Sequence, residues 1–183
     1  MTTRPKATIE DLYQVPDNQK AELVRGEVVL MSPTGDLPSR ASFAIALRLK
    51  DYERASGSGR AYADNTGFRV QLAHRESFSP DAAYYIGPRT RGKFLEGAPI
   101  FAAEVRSESD YGDKAEKAIA EKRADYFAAG TSVVWDVDVL RDEVVRVYSV
   151  SDPEAARVYR RGEYAEAEPA LPGFRMPVDE LFD

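Results

Sequence analysis

Pro80-Asp81 opens an apolar stretch, SPDAAYYI (79–86), and 23 positions after Asp81 a second apolar stretch, FAAEVRSESD (101–110), carries Glu104 in its middle. A carboxylate inside an apolar run is costly, because its charge leaves water and needs a compensating partner. Glu22, in AELVRGEVVLM (21–31), is a third acid in a strand-like setting. Strands that lie side by side would let Asp81 and Glu104 converge, with Glu22 beside them. Such a carboxylate cluster suits a hard cation with oxygen ligands, Mg²⁺ or Mn²⁺.

A fourth residue belongs to the same chemistry. In DYGDKAEKAIAEKRADYFAAG (110–130), positions Ala115, Ala118, Ile119, Lys122, Tyr126 and Ala129 fall on one side of a helix, whereas Glu116, Lys117, Glu121, Arg123 and Asp125 fall off it. Lys122 therefore sits within the apolar stripe, where an ammonium needs a partner. Beside a metal-binding carboxylate cluster it can orient a hydroxide and stabilise charge building on a phosphate. Taken singly, Glu104 equally suits a structural ion pair. Lys122 equally suits a lysine snorkelling from the stripe edge, Glu22 a solvated strand residue, and Pro80-Asp81 a turn. Their joint occurrence is what points to a site.

Other chemistries have little to work with. There is no cysteine, hence no disulfide, thiolate nucleophile or Cys-based zinc site, and His74, in LAHRES, is the only histidine and reads as an exposed loop residue. No G-x-S-x-G elbow surrounds a serine, and no phosphate-binding glycine loop follows a strand.

Positioning these side chains takes a succession of elements. Thr8 caps a short first helix, which is stopped by Pro16 and Asp17-Asn18. Residues 21–31 form a hairpin turned at Arg25-Gly26, 32–39 a loop, and 40–56 a helix ended by Gly57-Ser58-Gly59. Residues 61–72 give two short strands broken at Asn65–Gly67, 79–86 a strand, and 100–107 a strand covered on both faces. The helix over 110–130 and strands over 131–139 and 143–150 follow, then a strand over 156–162 and a short helix around Val178–Phe182. The strand–helix–strand unit from 100 to 139 has the length of a right-handed crossover. The fold class is therefore α/β, mixed α+β, with a central mixed sheet flanked by helices.

At 183 residues the chain suits one domain, 1–183, and 43% hydrophobic residues can fill its core. The start, MTTRPKATIEDL, lacks the apolar segment of a secretory signal and no run is long enough to span a bilayer, so a cytoplasmic protein with no membrane role is expected. A net charge of −6 disfavours a general polyanion binder, so any nucleic-acid contact must come from local patches, of which GPRTRGKF (87–94) is one.

In this order the blocks AELVRGEVVLMSPTG, SPDAAYYI, FAAEVRSESD and EKRADYFAAGTSVVWDVD resemble the Uma-two family of restriction-endonuclease-like proteins, within the PD-(D/E)XK nuclease superfamily. The similarity in motif order covers roughly residues 8–150. It implies a restriction-endonuclease-like core and an Mg²⁺- or Mn²⁺-dependent phosphodiesterase. Asp81 and Glu104 match the two metal-binding carboxylates, Glu22 the acid of the N-terminal block, and Lys122 the lysine that has moved from strand to helix. The Val105 backbone carbonyl would be a fourth ligand. The chain departs from the pattern in three places, one being Ser107-Glu108-Ser109 where the family has Ser-Pro-Ser after the strand. Pro38-Ser39-Arg40-Ala41-Ser42 stands where the family has a histidine, leaving Arg40 to meet a phosphate. Arg106 stands where the superfamily has lysine; on the strand face of Glu104 it could bind phosphate or pair with Glu104.

The expectation is metal-dependent hydrolysis of DNA phosphodiesters, with Arg89, Arg91 and Lys93 neutralising flanking phosphates and a homodimer cutting both strands. A catalytically idle nuclease-fold module for binding or dimerisation is the alternative. A glycosidase would need an aromatic sugar platform, and Trp135 lies in a strand expected to be buried.

Overall fold

The computed structural model describes residues 6–16 and 19–183. Helix α1 (Ile9–Leu12) is a single turn; the Thr8 amide and hydroxyl both donate to the Asp11 carboxylate at its start. The expected stop at Asp17-Asn18 lies outside the described residues. Strands β1 (Lys20–Val24) and β2 (Glu27–Met31) form the hairpin. Arg25 and Gly26 turn it with φ of 54° and 75°, the left-handed pair that matches the twist of a two-residue hairpin.

Helix α2 (Asp36–Ser56) starts four residues earlier than the expected Arg40, because Pro38 suits a first helical turn and does not signal a loop. Gly57, with φ of 63°, ends it and donates its N–H to the Glu53 carbonyl. Next come β3 (Arg60–Ala63), β4 (Phe68–Leu72), β5 (Arg75–Phe78), β6 (Ala82–Tyr85), the two-residue β7 (Leu95–Glu96) and β8 (Phe101–Val105). Helix α3 (Asp113–Ala128) crosses to β9 (Val133–Asp138), and β10 (Val144–Ser149), β11 (Asp152–Arg160), β12 (Tyr164–Glu166), β13 (Arg175–Pro177) and a 3-10 turn at Val178–Leu181 complete the order. Among the described residues no helix is long and apolar enough to cross a membrane.

The strands make two larger sheets rather than one. The first runs β2-β1-β5-β4-β7 and the second β11-β10-β9-β8-β6-β3; β12 and β13 pair separately. In the second sheet β8 and β9 are parallel and joined by α3, the expected crossover, while the other pairs are antiparallel. Alternation along β6 and β8 divides the core. Ala82, Tyr84, Phe101 and Ala103 pack against Ala41, Ile45 and Leu49 of α2, together with Trp135 and the C-terminal Phe174 and Met176. Ala83, Tyr85 and Ala102 face the other way, against Phe68 and Phe78 of the first sheet and Tyr126 of α3. Trp135 is fully buried and its Nε1–H donates to the Glu166 carbonyl at 2.9 Å, so it offers no sugar platform.

Candidate active site

The β6–β8 register sets the first pair of acids. Ala82 pairs with Ala103 and Ala83 with Ala102, so one step further Asp81 lies across from Glu104. Both project from the Ala83/Ala102 face by alternation. Asp81 is held through backbone and side chain alike: its own N–H donates to the Ala103 carbonyl at 3.0 Å, and its Oδ2 accepts the Val105 N–H at 2.7 Å. Val105 thus meets the acid pair through its amide.

Elements of the other layer complete the cluster. Lys122 of α3 reaches Glu104 and Glu22 with its Nζ, each at 2.9 Å. Tyr126, one turn further along α3, donates its hydroxyl to Glu104 Oε1 at 2.5 Å while its ring stacks on Phe78 at 4.0 Å. Lys20, two residues before Glu22 on the same strand face, reaches Asp81 at 2.6 Å and Asp64 at 2.7 Å. Glu22 is almost wholly buried, with 3% exposure, and is fully engaged: Oε1 accepts the Ser79 N–H at 2.9 Å and Oε2 accepts from Arg75 Nη1 at 2.6 Å. Arg75 continues to Asp125 Oδ2 at 2.7 Å, and His74 Nε2 lies 2.7 Å from Asp125 Oδ1.

The electrostatics follow from burial and this alternation of sign. Burial pushes the Glu104 carboxyl up, and the charges of Asp81 and Glu22 add to it, outweighing Lys122 and Lys20; the group sits above the usual range. Burial acts on Glu22 too, but Lys122, Arg75 and the Ser79 amide together hold it below its ordinary value. For both lysines burial favours the neutral amine, and the acids win: Glu104 and Glu22 hold the Lys122 ammonium above its ordinary value, while Asp81, Glu104 and Asp64 do the same for Lys20. Burial, then the charges of Glu104 and Glu22, push the Tyr126 phenol well up, so it remains a donor. Five carboxylates (Glu22, Asp64, Asp81, Glu104, Asp125) face three cations (Lys20, Arg75, Lys122) in this network, an excess of two negative charges. No group of three or more His, Asp or Glu side chains among the described residues stands ready to hold a metal ion. Lys20 and Lys122 lie between the acids instead.

The remaining sequence-derived residues lie elsewhere. Arg106 shares the Glu104 face but turns away from it. Its Nε and Nη2 fork onto Asp136 at 2.7 Å each, and Glu116 takes the rest of the guanidinium. With 7% side-chain exposure it has no free edge for a phosphate, and its partner is not Glu104. Arg40 is on α2, which packs on the opposite face of the second sheet, and its Nε donates to the Asp183 backbone carbonyl at 2.7 Å. Arg89, Arg91 and Lys93 are in the exposed loop before β7. His74 is half exposed in the turn between β4 and β5, as expected, and its ring also meets Asp125.

Lys20, Arg75, Tyr126, Asp125 and Ser79 were missed as site residues. Lys20 carried a signal, its two-residue spacing from Glu22, and Tyr126 another, its one-turn spacing from Lys122. Arg75 and Asp125 carried none that a single strand or helix pattern reveals.

Because Arg106 neutralises a nearly buried Asp136, Arg106→Met costs about 3–5 kcal/mol in urea denaturation at neutral pH. Arg106→Met with Asp136→Leu recovers most of that loss, since an apolar pair leaves no stranded charge. The hydrogen bond from Arg106 also holds the Glu116 carboxyl below its ordinary value. That share of stability is complete above the ordinary value and disappears as pH falls through the lowered one, so the gap between wild type and Arg106→Met narrows below about pH 4.

Residues 9–179 match the model of the Uma2 family, described as "Putative restriction endonuclease". The chain belongs to the Uma2 family. Its fold is that of a solved Anabaena variabilis ATCC 29413 protein described as "a putative nuclease belonging to DUF820", with a TM-score of 0.75 over 96% of this chain and 97% of that one, at 15% identity. At that identity the likeness speaks to the fold alone. Among curated proteins none matches the chain. Blocks far apart in the chain bring Glu22, Asp81, Glu104 and Lys122 together, Lys122 bridging Glu22 and Glu104 and Asp81 lying across from Glu104.

Proposed function

We infer that this Uma2 chain is a divalent-metal-dependent endonuclease that hydrolyses DNA phosphodiesters. The observation that carries the reading is the Glu104–Lys122–Glu22 bridge, with Asp81 beside it across the β6–β8 pair. The donor set fits Mg²⁺ or Mn²⁺ by chemistry: the acids offer hard oxygen ligands, and the network's excess of two negative charges is that of one divalent ion. Glu22, Asp81, Glu104 and the Val105 carbonyl would hold it once Lys20 and Lys122 withdraw from the shared carboxylates. A bound ion supplies Lewis acidity at the phosphate and lowers the pKa of an attacking water.

The chain's own residues do the rest. Lys122 stays cationic through the neutral range and orients that water or meets the charge that grows on the phosphate. Lys20 stands at the Asp81 side, placed to meet a second phosphate oxygen. Tyr126 fixes the orientation of Glu104, and Arg75 with Ser79 fixes Glu22, so the acids do not reorganise as charge develops.

Incubation with supercoiled and linear DNA tests this. Nicked or cut product is expected with Mg²⁺ or Mn²⁺ and none with a chelator. DNA binding without cleavage under either ion would instead describe the idle module, and the endonuclease reading would fall.

A further inference from the structure

An unbroken line of hydrogen bonds runs from the surface to the acid cluster. His74 Nε2 meets Asp125 Oδ1 at 2.7 Å, Asp125 Oδ2 accepts from Arg75 Nε at 2.7 Å, and Arg75 Nη1 donates to Glu22 Oε2 at 2.6 Å. Glu22 ends the line at Lys122, 2.9 Å away, which it shares with Glu104. Side-chain exposure falls from 50% at His74 to 3% at Glu22. A carboxylate only accepts, so the hydrogen between His74 and Asp125 belongs to Nε2, and Nδ1 is the nitrogen that can take up a second proton.

The line couples the charge on the imidazole to the charge left on Glu22. Arg75 is divided between Glu22 and Asp125, and Asp125 between Arg75 and His74. With the imidazole neutral, Arg75 is the one cation on Asp125, and the network keeps its excess of two negative charges. With the imidazole protonated, Asp125 has a second cation and its pull on Arg75 is shared. Arg75 then compensates Glu22 more fully. Five acids now face four cations, an excess of one. An imidazole ordinarily changes charge at about pH 6.5. The other charges around it lie on three elements. Glu121, one turn before Asp125 on α3, pairs at 3.6 Å with Arg25 of the β1–β2 turn, whose N–H donates to the His74 carbonyl at 2.7 Å. Arg75 and Glu76 follow His74 into β5. Arg25 and Glu121 offset each other, and Asp125 is the charge in direct contact with the ring. A half-exposed pair of this kind adds little to stability. Groups that stand behind metal ligands, by contrast, alter metal affinity by about 10–100-fold.

We propose that His74 and Asp125 are positioning residues for the divalent ion, setting through Arg75 how much of the Glu22 charge the ion meets. The inference rests on the metal-dependent reading above. The ion binds best to the form with a neutral imidazole, and by reciprocity a bound ion disfavours the proton on His74.

Calorimetric titration with Mn²⁺ tests this without recourse to cleavage, at about pH 5.5 and about pH 7.5, one unit to either side of an ordinary imidazole. His74→Gln keeps an N–H for Asp125 and takes no charge; His74→Lys carries one at both pH values. At the lower pH His74→Gln is expected to bind Mn²⁺ about tenfold tighter than wild type, and at the higher pH equally. His74→Lys should match wild type at the lower pH and bind about tenfold weaker at the higher. The gain in affinity that comes from deprotonating Glu104 is common to all three proteins and cancels in the comparison. Both variants should melt close to wild type in chelator, because position 74 is half exposed. Equal affinities of the three proteins at each pH would overturn the positioning role and leave the metal site standing. Equal weakening by both substitutions would also overturn it, since a merely structural contact does not distinguish glutamine from lysine by pH. No specific Mn²⁺ binding by wild type at either pH would overturn the metal-dependent reading and the positioning role with it.

Discussion

Asp81→Asn lowers metal-dependent cleavage by roughly 10²–10³-fold or more and leaves the chain folded. Asparagine has the shape of aspartate and keeps one carbonyl oxygen to accept the Val105 N–H, which Asp81 Oδ2 now takes at 2.7 Å. The charge is what disappears. Lys20 loses the contact at 2.6 Å but retains Asp64 at 2.7 Å, so no cation is stranded. The packing of β6 on β8 rests on Ala82, Ala83 and Tyr84, which the substitution does not touch. A nicking assay in Mn²⁺ read alongside a thermal melt checks both halves. Cleavage at the wild-type rate by a normally folded Asp81→Asn chain would remove Asp81 from the proposed ligand set.

The acid pair was legible because its carriers are short apolar runs whose neighbours along the strand are plainly core: Ala82 to Tyr85, and Phe101 to Ala103. Lys122 was legible for the same reason, standing among alanines and Ile119 on one helical line. What stayed hidden is the layer whose polar residues face inward. β5 reads Arg75-Glu76-Ser77-Phe78, and the buried ones are Arg75, Ser77 and Phe78. Arg75 is there for Glu22 and Asp125, and Ser77 Oγ accepts the Leu23 N–H at 2.8 Å. A strand that turns polar groups inward loses the alternation by which strands are read, and His74-Arg75-Glu76-Ser77 passes for a turn. With β5 unseen, the first sheet could not be assembled, and the expected central mixed sheet corresponds to the second of two larger sheets.

Asp125 shows the same dependence. It lies about 80° from the line through the α3 stripe at 100° per residue, and as an acid it was assigned to solvent. Its two partners, Arg75 and His74, sit on or beside the strand that hydrophobic patterning missed. Arg106 fails differently. Strand alternation put it on the correct face, but its partner Asp136 comes from β9, directly across from Glu104 in the parallel register. Only the register shows that a nearer carboxylate claims it. In each case the local pattern sufficed for the face, and a distant strand decided the contact.

Lys122→Met is expected to separate the structural part of the site from the chemical part. Methionine keeps an unbranched stem against the Tyr126 ring, so packing changes little. What goes is the only cation that touches both Glu22 and Glu104 among the described residues, each at 2.9 Å. Glu22 retains Arg75, whereas Glu104 retains only the Tyr126 hydroxyl. Breaking a buried pair on one side costs about 3–5 kcal/mol, and the partial exposure of Lys122 and Glu104 favours the lower end. For a chain of this size about 3 kcal/mol is a fall of roughly 6–12 °C in melting temperature in the presence of a chelator. A divalent ion placed among the acids would take over the charge that the ammonium supplied. Mg²⁺ should therefore raise the melting temperature of Lys122→Met more than that of the wild type, where the ion has to displace a lysine. Cleavage should stay lost, because the ion restores the balance of charge and not the ammonium beside the attacked phosphate. Equal Mg²⁺ shifts in the two proteins would show that the ion does not enter between Glu22 and Glu104. Recovery of cleavage by the methionine variant in Mg²⁺ would show that Lys122 serves the fold alone.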